Sequence, residues 1–251
     1  MLIDTHCHLS DKDYEDIDMV IEDDKKAGVD KIIVSYCGKD DLDEFVKIKD
    51  KYDIAYFTLG FHPEFAQDIT NDDLNNLKNL LSFNKVVGVG EIGLDYHYGK
   101  ENRDKQIWLF EEQLKIAESL DLPVVIHSRD ATLDTINILK KYKTKGIIHC
   151  FSGSLETANI YIELGYFLGI GGVLTFKNSK LKDVIKEISL ESIVLETDSP
   201  YLTPVPFRGK VNSSKYLGLI ANFVADVKGT NFLEVEKITF NNAHKLFDFN
   251  R

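Results

Sequence analysis

Asp4-Thr5-His6-Cys7-His8 places two imidazoles two residues apart, directly after the apolar start Met1-Leu2-Ile3. Read as a β-strand, this stretch alternates its side chains between two faces. His6 and His8 then point the same way, Asp4 points with them one step deeper, and Thr5 and Cys7 face away. Two imidazoles on one strand face can hold one metal ion from the same side. A lone His-x-His also arises by chance or inside a packed core, so its meaning depends on whether other ligands meet it. Asp4 reads better as a group orienting a histidine than as a ligand.

The elements that would position them alternate along the chain. Apolar runs at 2–8, 31–36, 54–60, 86–91, 124–127, 146–150, 166–170 and 193–196 read as strands. Amphipathic stretches at 18–28, 41–52, 70–81, 103–120, 131–142, 154–164 and 181–188 read as the intervening helices, and two more at 215–227 and 233–247 finish the chain. Thr70 is an expected N-cap, Asp130 another, and Ile107, Phe110, Leu114, Ala117 and Leu120 fall on one face of the fourth helix. Eight strand–helix units predict an α/β fold: a single (β/α)8 TIM barrel over residues 1–251 with an extra C-terminal helix.

In such barrels chemistry collects at the C-terminal ends of the strands. Those ends carry His6 and His8, His62, Glu91, His127, His149, and Glu196-Thr197-Asp198. Five of the seven histidines are therefore placed where a barrel keeps catalytic groups. Imidazoles and carboxylates without thiolate suit Zn, Mn, Fe or Mg. Glu91 is the candidate to bridge two ions, which about 3.5–4 Å apart can clamp a phosphate.

A net charge of -11 argues against broad, non-specific nucleic-acid binding, yet bound divalent cations can still draw phosphates into a small site. Cys7, Cys37 and Cys150 are too few and too scattered for a disulfide framework, which favours a reducing, cytoplasmic setting. No apolar run is long enough to cross a membrane, so no membrane partner is expected. The sequence leaves the oligomeric state open, and a monomer is compatible with it.

The chain resembles the TatD family of metal-dependent hydrolases, often described as DNases, among the amidohydrolase-like barrels. The resemblance rests on residues 3–8 (IDTHCH), 60–63 (GFHP), 91–96 (EIGLDY), 123–127 (PVVIH), 149–153 (HCFSG), 196–202 (ETDSPYL), 206–210 (PFRGK) and 242–247 (NAHKLF). It implies that His6, His8, Glu91 and Asp198 hold one divalent ion and that Glu91, His127 and His149 hold a second. It implies catalytic roles for Glu91 and Asp198 and contact of His62 with the scissile phosphate. Arg208 is a further candidate for phosphate contact. The family commonly continues after this motif with Arg-Asn-Glu-Pro, where this chain has Val211-Asn212-Ser213-Ser214. If that loop lies near the site mouth, it bears on substrate choice.

The expected activity is a deoxyribonuclease using two divalent ions (Mg, Mn or Zn) on a DNA or nucleotide substrate, working 3′-to-5′ from strand ends. An ester or amide hydrolase, such as a D-aminoacyl-tRNA deacylase, would keep the site and change the bond. A non-catalytic metal-binding protein is a third reading. His97 and His244 are expected at the surface or against a helix, Cys7 and Cys150 as buried thiols, Glu196 as a buried structural partner, and Trp108 in the helix layer.

Overall fold

In the computed structural model, which describes residues 1–250, eight parallel strands pair in chain order. They are β1 Leu2–Cys7, β2 Val29–Tyr36, β3 Ala55–Leu59, β4 Val86–Asp95, β5 Val124–Arg129, β6 Gly146–Ile148, β7 Tyr166–Ile170 and β8 Ile193–Leu195. Between them run α1 Ile17–Lys26, α2 Lys39–Ile48, α3 Asn71–Leu80, α4 Arg103–Leu120, α5 Thr132–Leu139, α6 Leu155–Glu163 and α7 Leu181–Glu187. The helices α8 Leu217–Lys228 and α9 Phe232–Leu246 follow β8. This is the TIM barrel read from the sequence. No helix among the described residues is long and apolar enough to cross a membrane.

The ring closes differently at its seam. Backbone ladders join β1 through β8 in succession, whereas β8 meets β1 through side-chain bonds and through two backbone bonds just past β8, from the Asp198 N–H to the His6 carbonyl and from the His8 N–H to the Ser199 carbonyl. Thr5 Oγ1 donates to the Leu195 carbonyl (3.0 Å), and the Thr197 N–H donates to Asp4 Oδ1 (3.0 Å). Inside the barrel, Ile3, Ile33, Val87, Val125, Ile147 and Val194 form a small core that Phe247 and Phe249, after α9, help to seal. The larger core lies between the strands and the helices.

Local chemistry explains most element ends. Thr70 caps α3 in a reciprocal box with Asp73, and Gly28 and Gly165 take left-handed conformations after α1 and α6. Asp130 does not cap α5. It is itself left-handed (φ 53°), and the capping position falls to Ala131 without a side-chain bond. The buried face of α4 is Gln106, Leu109, Phe110, Gln113, Leu114 and Ala117, so two polar residues sit where apolar periodicity alone would not place them.

Both strands that open the site carry an extra residue. From Asp4 to Cys7, β1 advances three positions while β2 advances two, from Ile32 to Val34. From Val89 to Ile92, β4 again advances three while β5 advances two. Such bulges re-aim the side chains that follow. On β1, Ile3 faces the barrel interior and Cys7 the helix layer, and His6 within the bulge and His8 beyond it turn to the site.

Candidate metal centre

His6 and His8 are fixed from behind by β2. Ser35 Oγ shares a 3.0 Å hydrogen bond with His6 Nδ1, and His8 Nδ1 lies 3.1 Å from the Ser35 carbonyl oxygen. Both ε nitrogens are thereby left facing the barrel axis. Asp4 does not orient either imidazole, contrary to strict alternation along β1. Its Oδ2 accepts from Thr197 Oγ1 (2.5 Å) and Ser214 Oγ (2.7 Å), and it anchors the segment leading to Asp198. Asp198 itself is left-handed (φ 54°), and its N–H donates to the His6 carbonyl (3.0 Å). Its Oδ1 comes 3.4 Å from His6 Nε2 and 3.7 Å from His8 Nε2.

Glu91, within the bulge of β4, sits between two sets of imidazoles. Its Oε2 lies 3.6 Å from His6 Nε2 and 3.9 Å from His8 Nε2. Its Oε1 lies 2.7 Å from both His127 Nδ1 and His149 Nε2. Asp95, two steps of strand alternation beyond Glu91, places Oδ2 3.0 Å from His127 Nε2. The sequence reading gave Asp95 no role, though period two from Glu91 marks it. A carboxylate on the far nitrogen of a ligating histidine fixes ring orientation and raises its basicity.

The two buried glutamines of α4 act as clamps for this rim. Gln106 exchanges hydrogen bonds with the Asp95 backbone (2.9 and 2.8 Å), and Gln113 does the same for Phe61, beside His62 (2.7 and 3.0 Å). Glu196 is fully buried, as expected of a structural partner. Its Oε1 accepts from the Cys150 N–H (2.5 Å) and lies 3.9 Å from His149 Nδ1. Gly169 makes room for it: a Cβ there would fall 2.2 Å from Glu196 Oε2.

Charge follows this geometry. Burial opposes ionisation of Glu91, but His149 and His127 overcome it and hold the carboxyl well below the usual range. Burial likewise opposes Asp198, and His6 and His8 keep it depressed. Burial, with His149 nearby, lowers His6 to about 4. His127 resists burial through Asp95 and Glu91 and rises to about 9. Burial, with the charges of Asp198 and Asp4 adding to it, lifts Glu196 to about 8.

A cavity of about 630 Å³ opens above this floor, and His8, His62, Glu91, Asp95, His127, His149 and Asp198 reach it. Six residues singled out from sequence as ligands thus meet: His6, His8, Glu91, His127, His149 and Asp198. Three overlapping triads among them each bring their ligand atoms within 4.8 Å of one another, and His62, Asp95 and His127 form a fourth. The set fits a divalent cation chemically. The buried His6 Nε2 has no hydrogen-bond partner, yet it points at two ionised carboxylates.

Arg208 is placed elsewhere. Its guanidinium lies 4.0 Å above the Phe176 ring and donates to the Thr203 carbonyl. Residues 211–214 do not line the cavity either. Asn212 Nδ2 donates to the carbonyls of Thr197 and Tyr201 (2.9 and 2.6 Å), so this segment braces the Asp198 turn from behind. Trp108 packs in the helix layer, and His244 sits against Phe240 and Phe249.

A family model for TatD related DNase matches residues 3–248. The chain belongs to this family. Among its relatives, the metal-dependent hydrolase YabD of Bacillus subtilis is 41% identical, and the match covers 100% of both chains. The metal-dependent hydrolase YcfH of Escherichia coli K12 is 34% identical over 98% of this chain and 95% of its own. The crystal structure of YjjV, a TatD homologue from Escherichia coli K12, superposes with a TM-score of 0.91 at 33% identity, covering 98% of this chain and 97% of that one.

Proposed function

We propose that this metal-dependent hydrolase is a phosphodiesterase acting on DNA ends, a 3′-to-5′ exodeoxyribonuclease with two divalent ions. The supporting observation is the division of Glu91 between two sets of imidazoles, one oxygen toward each. In this reading His6, His8, Glu91 and Asp198 hold one ion, and Glu91, His127 and His149 hold the other. Bound there, cations such as Mg, Mn or Zn polarise the phosphoryl oxygens and make an attacking water more acidic.

The chain's own groups do the rest. Asp198, kept ionised, accepts the proton of the attacking water. Burial lowers His62 to about 4, so its imidazole is neutral at pH 7. Its Nδ1 accepts from the Glu64 N–H (3.3 Å), which leaves Nε2–H to donate to a phosphoryl oxygen. Asp95 holds His127 in one orientation throughout.

The test is turnover of an end-labelled single-stranded oligonucleotide by chelator-treated protein before and after restoring Mg, Mn or Zn. A D-aminoacyl-tRNA and a lactone are assayed beside it. Metal-dependent release of mononucleotides is expected. Turnover confined to the esters would replace the nuclease reading, and no turnover of any substrate would refute catalysis at this site.

A further inference from the structure

The cavity above the metal centre has a lopsided wall. Over β1 to β3 it is lined by four carboxylates: Asp13 from the loop after β1, Asp41 and Glu44 from α2, and Glu64 from the turn after β3. The cations that reach it are the exposed Lys12 and, at the end of β5, Arg129, whose guanidinium lies 5.7 Å from the Tyr98 ring. Among the described residues, Asp13, Asp41 and Glu44 have no cationic nitrogen within 4.0 Å. Asp41 Oδ2 instead accepts from the Cys37 N–H (3.3 Å).

The carboxylates also feel one another. Burial raises Glu44 against a hydrogen bond from the Asp11 backbone and the charge of Lys12, and the charges of Asp11 and Asp41 add to it. Burial raises Glu64, and the charges of Glu91, Asp95 and Asp41 add to it against that of His127. This lobe is continuous with the metal centre, so whatever lies next to the scissile bond on that side must enter it.

We propose that the carboxylate-lined lobe receives the terminal nucleoside of the strand and requires that its sugar end in a free hydroxyl rather than a phosphate. The inference rests on the nuclease reading. With the scissile phosphate over the metal centre, a terminal nucleoside brings only a base and a hydroxyl into the lobe. Carboxylates accept hydrogen bonds from that hydroxyl and from base amino groups. A further phosphate, terminal or internucleotide, brings like charge against four carboxylates that outnumber the cations there, Lys12 and Arg129. The same wall therefore rejects a continuing strand and confines cleavage to ends.

Two single strands of one sequence, ending in 3′-hydroxyl or 3′-phosphate, test this with the metal-loaded protein. The hydroxyl-ended strand is expected to have a kcat/KM about tenfold higher or more at low salt. Added salt narrows the ratio through screening. Asp41→Asn with Glu44→Gln narrows it further, chiefly by raising turnover of the phosphate-ended strand. Glu44→Gln alone gives the same readout if the double variant does not fold. Equal turnover of both strands at low salt overturns the proposal and leaves the nuclease reading intact. Cleavage of neither strand with any metal removes the nuclease reading itself.

Discussion

The two oxygens of Glu91 look onto unlike surroundings. Toward β5 and β6, Oε1 hydrogen-bonds with His127 and His149 at 2.7 Å. Toward β1 and β8, Oε2 stands 3.6 and 3.9 Å from His6 and His8, which Ser35 holds from behind. On that side Asp198 is likewise fixed by backbone, through its N–H to the His6 carbonyl. His149 Nδ1 lacks a hydrogen-bond partner, with Glu196 Oε1 3.9 Å away, and His127 is held by Asp95. In the proposed two-ion reading, one set of ligands is therefore organised by the barrel wall, and the other by carboxylates, Glu91 on both imidazoles and Asp95 on His127.

Removing the bridge is the strongest way to break this contrast. Glu91→Gln should lower kcat/KM by about three orders of magnitude or more. It should also reduce bound metal toward one ion, retained on the His6, His8 and Asp198 side. Elemental analysis with single-site variants locates the survivor. Equal loss from both sides would show that the wall does not organise its own ligands.

Asp95→Asn acts on one side alone. It should weaken the His127/His149 ion by about 10–100-fold and leave the other ion unchanged. It should also alter the pH dependence of metal uptake. In the metal-free protein burial opposes a proton on His127, yet Asp95 and Glu91 hold one up to about 9. That proton competes with the cation, so affinity on this side should rise with pH until about 9. Without the Asp95 charge the rise should end at lower pH. Calorimetry in buffers of different ionisation enthalpy counts the protons released.

Gly169→Ala probes the support behind His149. Its Cβ would meet Glu196 Oε2 at 2.2 Å and the His149 Cα at 3.2 Å. Overpacking of this kind should cost about 1–3 kcal/mol in denaturant unfolding. Metal binding should weaken on the His149 side only.

The smallest effect tests the bracing of the β1/β8 side. Asp24 on α1 accepts from the Lys215 N–H (2.7 Å), next to the Ser214 that holds Asp4. Burial raises its carboxyl from 3.8 to about 7. A raised acid favours the protonated fold, so its contribution is full below about pH 4 and is lost as pH rises through about 7. Asp24→Asn should raise Tm by roughly 3–6 °C at pH 8 and by less at pH 5.

The eight strands were legible because each is a short apolar run bounded by turn residues, and the convergence of His6, His8, His62, Glu91, His127, His149 and Asp198 was legible because they stand at the C-terminal ends of those runs. What escaped is what strict periodicity cannot express. Where β1 carries its inserted residue, the Asp4 carboxylate bonds the His6 N–H rather than its ring, and Ser35, on another strand, orients the imidazole. The extra residue in β4 and that strand's length bring Asp95 onto His127. Gln106 and Gln113 are buried by what they clamp, so a search for apolar stripes passes over them. Arg208 looked available for phosphate because its sequence neighbours do not reveal Phe176, more than a full strand–helix unit away.

The seam between β1 and β8 bears on how the molecule comes into being. Asp4 and Thr197 stand 193 positions apart, and their bonds fix the turn that carries Asp198. A growing polypeptide thus exposes His6 and His8 long before Asp198 has been synthesised. On that side the full set is assembled only when the last strand docks against the first, and a chain halted before residue 197 would present two histidines and Glu91 without the second acid that completes them.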